Sequence, residues 1–388
     1  MVAEVRMRRE IECFPKAAFE TGGAQIFTGK GLCGAFPRFV DELTGGGRVL
    51  LVADGDGIDL ARTLGEEGKR AGLRMTVKGA AEVCDAEENC LAVVGAGGAE
   101  AAAAAVAAAR SRRAECVLFP SVPCEDGLLA EGGVKAVCLD EDVLSRAPKD
   151  AKAAAAGLLF ALPVKRFEDV CAEKVFAPEG ERRETPLLDC GTSATELAVN
   201  VLRSGADGRT YAPDVTAEVL RLLALAAGKR PRRRGEYVFV AACALAAFYK
   251  AYLSSPAIDT LLPADHDAAL DEFARLTGGE RGNILQAFDI FGASGYFRIN
   301  YILGEYRMDL IAELASCDLG GAGRRWRRMY DDAGFWMKSA FTSEDVMHAM
   351  ALAGEKTGGL LGFAAGTGFL AAMRAGGSRA ERREDTVA

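Results

Sequence analysis

Leu91–Glu100 reads LAVVGAGGAE. A short apolar run, Leu91-Ala92-Val93-Val94, meets Gly95-Ala96-Gly97-Gly98, and alanine-rich sequence continues to Ala109. That order predicts a buried strand, a tight glycine turn and a helix start. Such a turn lets the backbone approach a phosphate, and the helix start offers unpaired N–H groups and a positive dipole end. Any strand-to-helix turn in an α/β protein can also be glycine-rich for packing alone. The stretch by itself leaves both readings open.

The sequence on either side repeats the alternation. Arg48–Ala53, RVLLVA, reads as a buried strand that ends in Asp54-Gly55-Asp56-Gly57. A helix follows from Ile58 to Ala71, with Leu60 and Leu64 on one face and Gly72 as its stop. Arg74–Val77 is a second strand, Leu91–Val94 the third, Cys116–Phe119 the fourth and Val134–Leu139 the fifth. Ile26–Gly34 reads as a turn. Strands alternating with helices imply βαβ units and a mainly parallel sheet, which binds ligands beyond the carboxyl ends of its strands. Three strand ends then form one candidate site: Asp54, the Gly95–Gly98 turn and Ser121–Asp126. An acid at the end of the first of these strands can accept hydrogen bonds from a ribose and would repel a 2′-phosphate, which favours NAD over NADP. A helix N-cap is the structural alternative for Asp54. The GxGxxG fingerprint is absent from that strand-helix turn.

From Asp150 the pattern becomes helical. Ala151–Leu162, Thr195–Arg203, Val215–Ala227, Tyr237–Tyr252, Asp265–Leu276, Asn283–Ala293, Tyr301–Ala315 and Ser343–Ala353 all carry helical spacing of apolar residues. Phe176–Pro186 reads as a loop, and Gly376–Ala388 as a frayed tail. The expected organisation is an α/β nucleotide-binding domain over residues 1–150 and an all-helical domain over residues 151–388.

Bulk properties narrow the class. With 388 residues and 50% hydrophobic content, the chain can bury two ordinary cores. A net charge of −8 argues against a nucleic-acid partner. The basic run Lys229-Arg230-Pro231-Arg232-Arg233-Arg234 reads as a solvated loop between helices. The longest apolar stretch in the second half, Val238–Phe248, falls short of the roughly 20 residues of a membrane helix. No secretory leader pattern is visible, and 11 cysteines without a CxxC pair read as reduced thiols in a cytoplasm.

The ordered motifs resemble the dehydroquinate synthase-like and iron-containing alcohol dehydrogenase superfamily, nearest its glycerol-1-phosphate dehydrogenase-like branch. The strand Val49–Asp54 resembles the family strand that ends in an acid. Gly95-Ala96-Gly97-Gly98 resembles its GGGS turn. Phe119-Pro120-Ser121 and Glu125-Asp126-Gly127 resemble its proline-threonine strand end and the acid-glycine segment that follows, and Asp140–Gly157 its later acid, leucine, alanine-proline and glycine region. The resemblance implies an N-terminal NAD(P)-binding α/β domain and a C-terminal helical domain. Between them the family holds a small-molecule substrate and a divalent zinc or iron, bound by one Asp and two His, that assists hydride transfer. On this carry-over Asp54, Gly95, Gly97, Gly98 and Ser121 bind the dinucleotide, Asp126 lies beside the nicotinamide and substrate, and His266 is a metal ligand. A homodimer or larger assembly is expected, with neither a nucleic acid nor a membrane as partner.

Three departures point to a degenerate metal site. Leu158 or Leu159 stands where the acid after Gly157 is expected, Ala101 replaces the Asp after the GGGS turn, and His266 and His348 are the only histidines. His348 falls where the family's second histidine does not lie. Asp267, Asp271, Glu305 and Asp309 are the acids available as substitutes. The expected function is an NAD(P)-dependent oxidoreductase of the polyol or polyol-phosphate dehydrogenase type. The alternative is a catalytically impaired homologue that binds nucleotide without metal-dependent catalysis. A metal-independent lyase or synthase is a third, less supported reading.

Overall fold

The structure is a computed structural model that describes residues 17–85, 89–123, 129, 132–176, 185–205, 209–230, 232–255, 266–278, 287–329, 341–367 and 369. The chain forms two compact units. The first is Met1–Ala155 with Asp189–Arg209, and the second is Ala156–Leu188 with Thr210–Ala388. The cut is therefore not single: the stretch holding the helix Ala194–Ser204 returns to the first unit.

The first unit is built on one seven-stranded sheet. Its strands are β1 (Phe19–Thr21), β2 (Ala24–Gly29), β3 (Arg48–Ala53), β4 (Arg74–Gly79), β5 (Ala92–Gly97), β6 (Glu115–Pro120) and β7 (Val134–Asp140), in the order β1-β2-β7-β6-β5-β3-β4. All neighbours pair parallel except β1 with β2. Alternation within β3 feeds both faces. Val49, Leu51 and Ala53 pack with Leu60, Ala61 and Leu64 of α2 (Ile58–Arg70) and with Phe36 and Phe39 of α1 (Leu32–Thr44). Leu50 and Val52 pack on the opposite face, in the cluster that holds Ala102, Ala105 and Val106 of α3 (Ala99–Arg112). Both faces are covered, which is why these strands are apolar without interruption.

The reading of Ile26–Gly34 as a turn is corrected. β2 occupies Ala24–Gly29 and α1 begins at Leu32. Gly31, Gly34 and Pro37 conceal the helix in the sequence, but Leu32, Cys33, Phe36, Phe39 and Val40 recur at helical spacing and are buried. Burial of that face, at about 2 kcal/mol per large side chain, outweighs the roughly 3 kcal/mol cost of Pro37 inside the helix.

The second unit is helical in its described residues. Its elements are the C-terminal part of α5 (Lys149–Phe160), α6 (Leu162–Cys171) with a π-helical turn at Ala172–Phe176, α8 (Ala212–Ala226), α9 (Arg234–Ser254), α10 (His266–Thr277), α11 (Ala287–Ser316) and α12 (Leu319–Met329), then Ser343–Gly354 and Gly359–Gly366; α4 (Glu141–Leu144) and α7 (Ala194–Ser204) belong to the first unit. The sequence reading missed α6, α12 and the helix Gly359–Gly366, and it divided α11 in two. α9 extends over 21 residues, long and apolar enough by composition to cross a membrane, so the shorter span read from the sequence is also corrected. It is nevertheless a core helix, with 61% of its most apolar window buried and Tyr237, Phe239, Tyr249 and Tyr252 inside. The basic run lies between α8 and the start of α9, where Arg232 pairs with Glu236 and Arg234 with Asp214.

Candidate functional site

The strand order places a topological switch point between β3 and β5. From β3 the chain crosses to β4 on one side, then back past β3 to β5, so α2 and α3 leave on opposite faces of the sheet. The crevice outside the carboxyl ends of two such strands is where open α/β sheets bind ligands. Here it is lined by Asp54, Asp56 and Gly57 after β3, by Gly97 and Gly98 at the end of β5, and by Ser121 after β6.

These residues bond one another closely. The Asp54 carboxylate accepts hydrogen bonds from the backbone N–H of Asp56 and Gly57, each at 3.1 Å. It also reaches across to β5 and α3, accepting from the N–H of Gly98 at 2.9 Å and of Ala101 at 3.1 Å. An anion at the first turn of a helix satisfies orphan donors and the positive end of the dipole together. Ser121 Oγ donates to the carbonyl of Asp56 at 2.8 Å, and Ser121 N–H donates to the carbonyl of Gly97 at 3.0 Å. Three strand ends are thus tied into one polar knot.

Two glycines make the approach possible. A Cβ on Gly57 would stand 1.8 Å from the carbonyl oxygen of Ala96, and one on Gly97 would stand 2.2 Å from Asp54 Oδ1. The turn starts later than the sequence suggests, because β5 runs through Gly97 and Gly98 is the N-cap of α3. Gly95 lies within the strand, where a Cβ would stand 2.9 Å from Leu118 and 3.0 Å from Ala105. It lets α3 and β6 close on β5. Ala101, which stands where the resemblance leads one to expect an acid, is buried under the turn and donates its N–H to Asp54.

Asp126 lies outside the described residues. His266 is the first residue of α10, and its side chain lies outside the described ones. Nε2 of His348 lies 2.9 Å from Oε1 of Glu272, so this histidine tethers its helix to α10. Asp309 pairs with Lys174 at 3.7 Å. Tyr301, beside Glu305, has its hydroxyl pKa raised by that hydrogen-bonded carboxylate. Among the described residues no three His, Cys, Asp or Glu side chains gather as metal donors.

Sequence reasoning missed a second polar cluster, inside the helical unit. Asp214 Oδ1 accepts from Lys165 Nζ at 3.0 Å and from Arg234 Nη2 at 2.9 Å, and its Oδ2 accepts from Tyr211 N–H at 3.1 Å. Glu168 accepts from the Tyr249 hydroxyl at 2.6 Å and from Ala212 N–H at 3.0 Å. Asp169 accepts from the N–H of Thr185 at 2.8 Å and from the Tyr211 hydroxyl at 3.2 Å. Desolvation pushes the Glu168 carboxyl up to about 7, although hydrogen bonds from Tyr249 and Ala212 oppose the rise. The hydroxyl of buried Tyr249 and the thiol of buried Cys171 are both raised, first by desolvation and then by Glu168. Glu168 and Asp214 act on the first turn of α8, and this cluster is a buried cap. Its only sequence signal was the Tyr211-Ala212-Pro213-Asp214 helix start, with proline and acid in the first turn.

Comparison with known proteins adds a likeness in chain path. No protein-family model matches the chain, and no curated protein matches it. Solved structures do. A probable glycerol dehydrogenase from Sinorhizobium meliloti 1021 is 14% identical, with 78% of this chain and 99% of that one covered at a TM-score of 0.44. An NADH-dependent butanol dehydrogenase A from Thermotoga maritima is 14% identical, with 86% and 98% covered at 0.45. An archaeal halo-thermophilic alcohol dehydrogenase from a Red Sea brine pool is 12% identical, with 88% and 94% covered at 0.47.

Proposed function

We propose that this chain is an NAD(P)-dependent oxidoreductase-like protein of the polyol or polyol-phosphate dehydrogenase type, with its first unit as the nucleotide-binding part. One observation carries the reading: the glycine-bearing end of β5 and the acid-bearing end of β3 meet at the topological switch point of a parallel sheet. A dinucleotide needs such a place, with backbone N–H groups at a helix start for its pyrophosphate and a polar rim for its ribose. Gly97, Gly98 and Ser121 would border the pyrophosphate, while Gly95 would act through close packing of α3. Asp126 and His266 remain the proposed acid beside the substrate and the proposed metal ligand. The nicotinamide ring, when bound, would supply the hydride chemistry. This chain's part is to hold and orient it.

A second reading is a homologue that binds nucleotide at the same turn without metal-dependent catalysis, and the state of that turn bears on both readings alike. As the turn stands, its Gly98 and Ala101 amides already serve Asp54, and Asp56 and Glu100 add negative charge beside them. A pyrophosphate does not fit the turn in this state.

Thermal unfolding with and without NAD+, NADP+ and zinc tests the proposal. A nucleotide at 100 times its Kd is expected to stabilise the protein by about 2.7 kcal/mol. No shift with either dinucleotide would remove the nucleotide reading. A shift with NAD+ but neither metal content nor dehydrogenase activity would select the second.

A further inference from the structure

We propose that Asp54 is an internal anion that closes the switch-point turn, so that a dinucleotide pyrophosphate binds only by displacing this carboxylate from the Gly98 and Ala101 amides. The inference rests on the nucleotide reading above and adds the competitor.

The geometry is that of an occupied anion position. Asp54 does not cap its own helix alone. It spans from the end of β3 to the neighbouring strand and receives the N–H of the α3 N-cap, Gly98, and of the third helical residue, Ala101. Those are donors a helix start offers to a phosphate. The space is filled as well as the charge, since even the Cβ of an alanine at Gly97 would fall 2.2 Å from Asp54 Oδ1. A Cβ at Gly98 would meet Asp56 Oδ2 at 3.1 Å and Asp54 Oδ2 at 3.3 Å, so a second carboxylate borders the same spot. A phosphate oxygen entering here meets two carboxylates and finds the amides engaged. The donor positions have the arrangement a phosphate needs, and the acceptor in place is the chain's own.

The closed turn is also held from below. Gly57, at the foot of the Asp54 loop, lies so close to β5 that its Cβ position is 1.8 Å from the Ala96 carbonyl oxygen, and Ser121 fixes the Asp56 carbonyl from the β6 side. The backbone of the Asp54 loop therefore has little room to retreat. Opening the turn is a rotation of the Asp54 side chain away from α3, with the strand ends left in place. A competent state populated at about one part in ten weakens apparent affinity tenfold, because apparent Kd is intrinsic Kd divided by that fraction.

The test is calorimetric titration of the full-length protein and its Asp54→Asn variant with NAD+, NADP+ and inorganic pyrophosphate. Asparagine keeps the size and one acceptor oxygen but removes the charge. Asp54→Ser, which retains a short cap acceptor, serves if Asp54→Asn does not fold. The expected result is that the variant binds NAD+ and pyrophosphate at least tenfold more tightly than the parent. Equal affinity for NAD+ in both proteins, or tighter binding by the parent, would overturn the internal anion and leave the nucleotide reading standing, with Asp54 then acting as a ligand to the ribose. Pyrophosphate bound only by the variant, with neither protein binding NAD+ or NADP+, would support the internal anion and remove the nucleotide reading. No binding of any probe by either protein would overturn both.

Discussion

Asp54 and Glu168 are both carboxylates set against the first turn of a helix, and the protein treats them differently. Asp54 is half-buried at the end of β3 and accepts four backbone amides, two from its own loop and two from the start of α3. Glu168 sits within α6, half-buried, and its carboxylate accepts from the Tyr249 hydroxyl and the Ala212 N–H. The first arrangement places a negative charge where an exchangeable ligand would place one. The second sequesters a group whose charge the surroundings resist, so the carboxyl titrates at about 7. The difference lies in access: an anion position at a strand end can be exchanged with solvent, whereas one inside a helical layer can only be kept or lost. That is the reason the switch point is read as a binding site and the α8 cluster as a structural cap.

The comparison can be broken most forcefully from the helical side. Asp214→Ala leaves Lys165 buried without its carboxylate and removes the acceptor of Tyr211 N–H. The expected cost is about 3–5 kcal/mol in denaturant unfolding, as for one partner removed from a buried ion pair. On the other side, Gly57→Ala forces a Cβ into the Ala96 carbonyl, which belongs to a strand and cannot yield cheaply. A loss of about 3 kcal/mol is expected. A loss below about 0.5 kcal/mol, the usual effect of a surface change, would show that the β3 and β5 ends are not locked together.

Glu168→Gln sharpens the contrast through pH. An acid whose pKa is raised on folding favours the folded state in its protonated form. Its contribution is fully present below the unfolded value of 4.5 and is lost as pH rises through about 7. Given the residual exposure of this side chain, a decline of about 2 kcal/mol between those values is expected in the parent protein. The glutamine variant should lack that decline, and urea titrations at several pH values read it directly. The smallest effect is Asp54→Asn on stability itself, about 1 kcal/mol for a weakened cap, even though its effect on anion binding is expected to be tenfold or more.

Much of the first unit was legible because its signals are local. β3 is an unbroken apolar run, α2 ends at Lys69-Arg70-Ala71-Gly72, and Gly95–Gly98 marks the approach of a strand to a helix start. What was not legible depended on partners far along the chain. Nothing around Asp54 shows that its carboxylate is taken by an amide 44 residues away. The 107-residue separation between Cys33 and Asp140, whose bond caps α1, is likewise invisible, and α1 itself was hidden behind Pro37 and two glycines. Gly95 and Gly98 look alike in sequence, yet one is inside a strand packed on Leu118 and Ala105 while the other caps a helix. In the second unit, nothing local marks Lys165, Glu168 and Asp169, because burial of a charged side chain is decided by what packs over it.

The most direct measurement is an NMR titration that follows the backbone amides of Gly98 and Ala101 in the wild-type protein as NAD+ is added. The account predicts that both resonances move together and saturate with the binding isotherm, as the Asp54 carboxylate gives way to the pyrophosphate. Saturable NAD+ binding that leaves both amides unmoved would contradict it, because the nucleotide would then lie away from the switch-point turn.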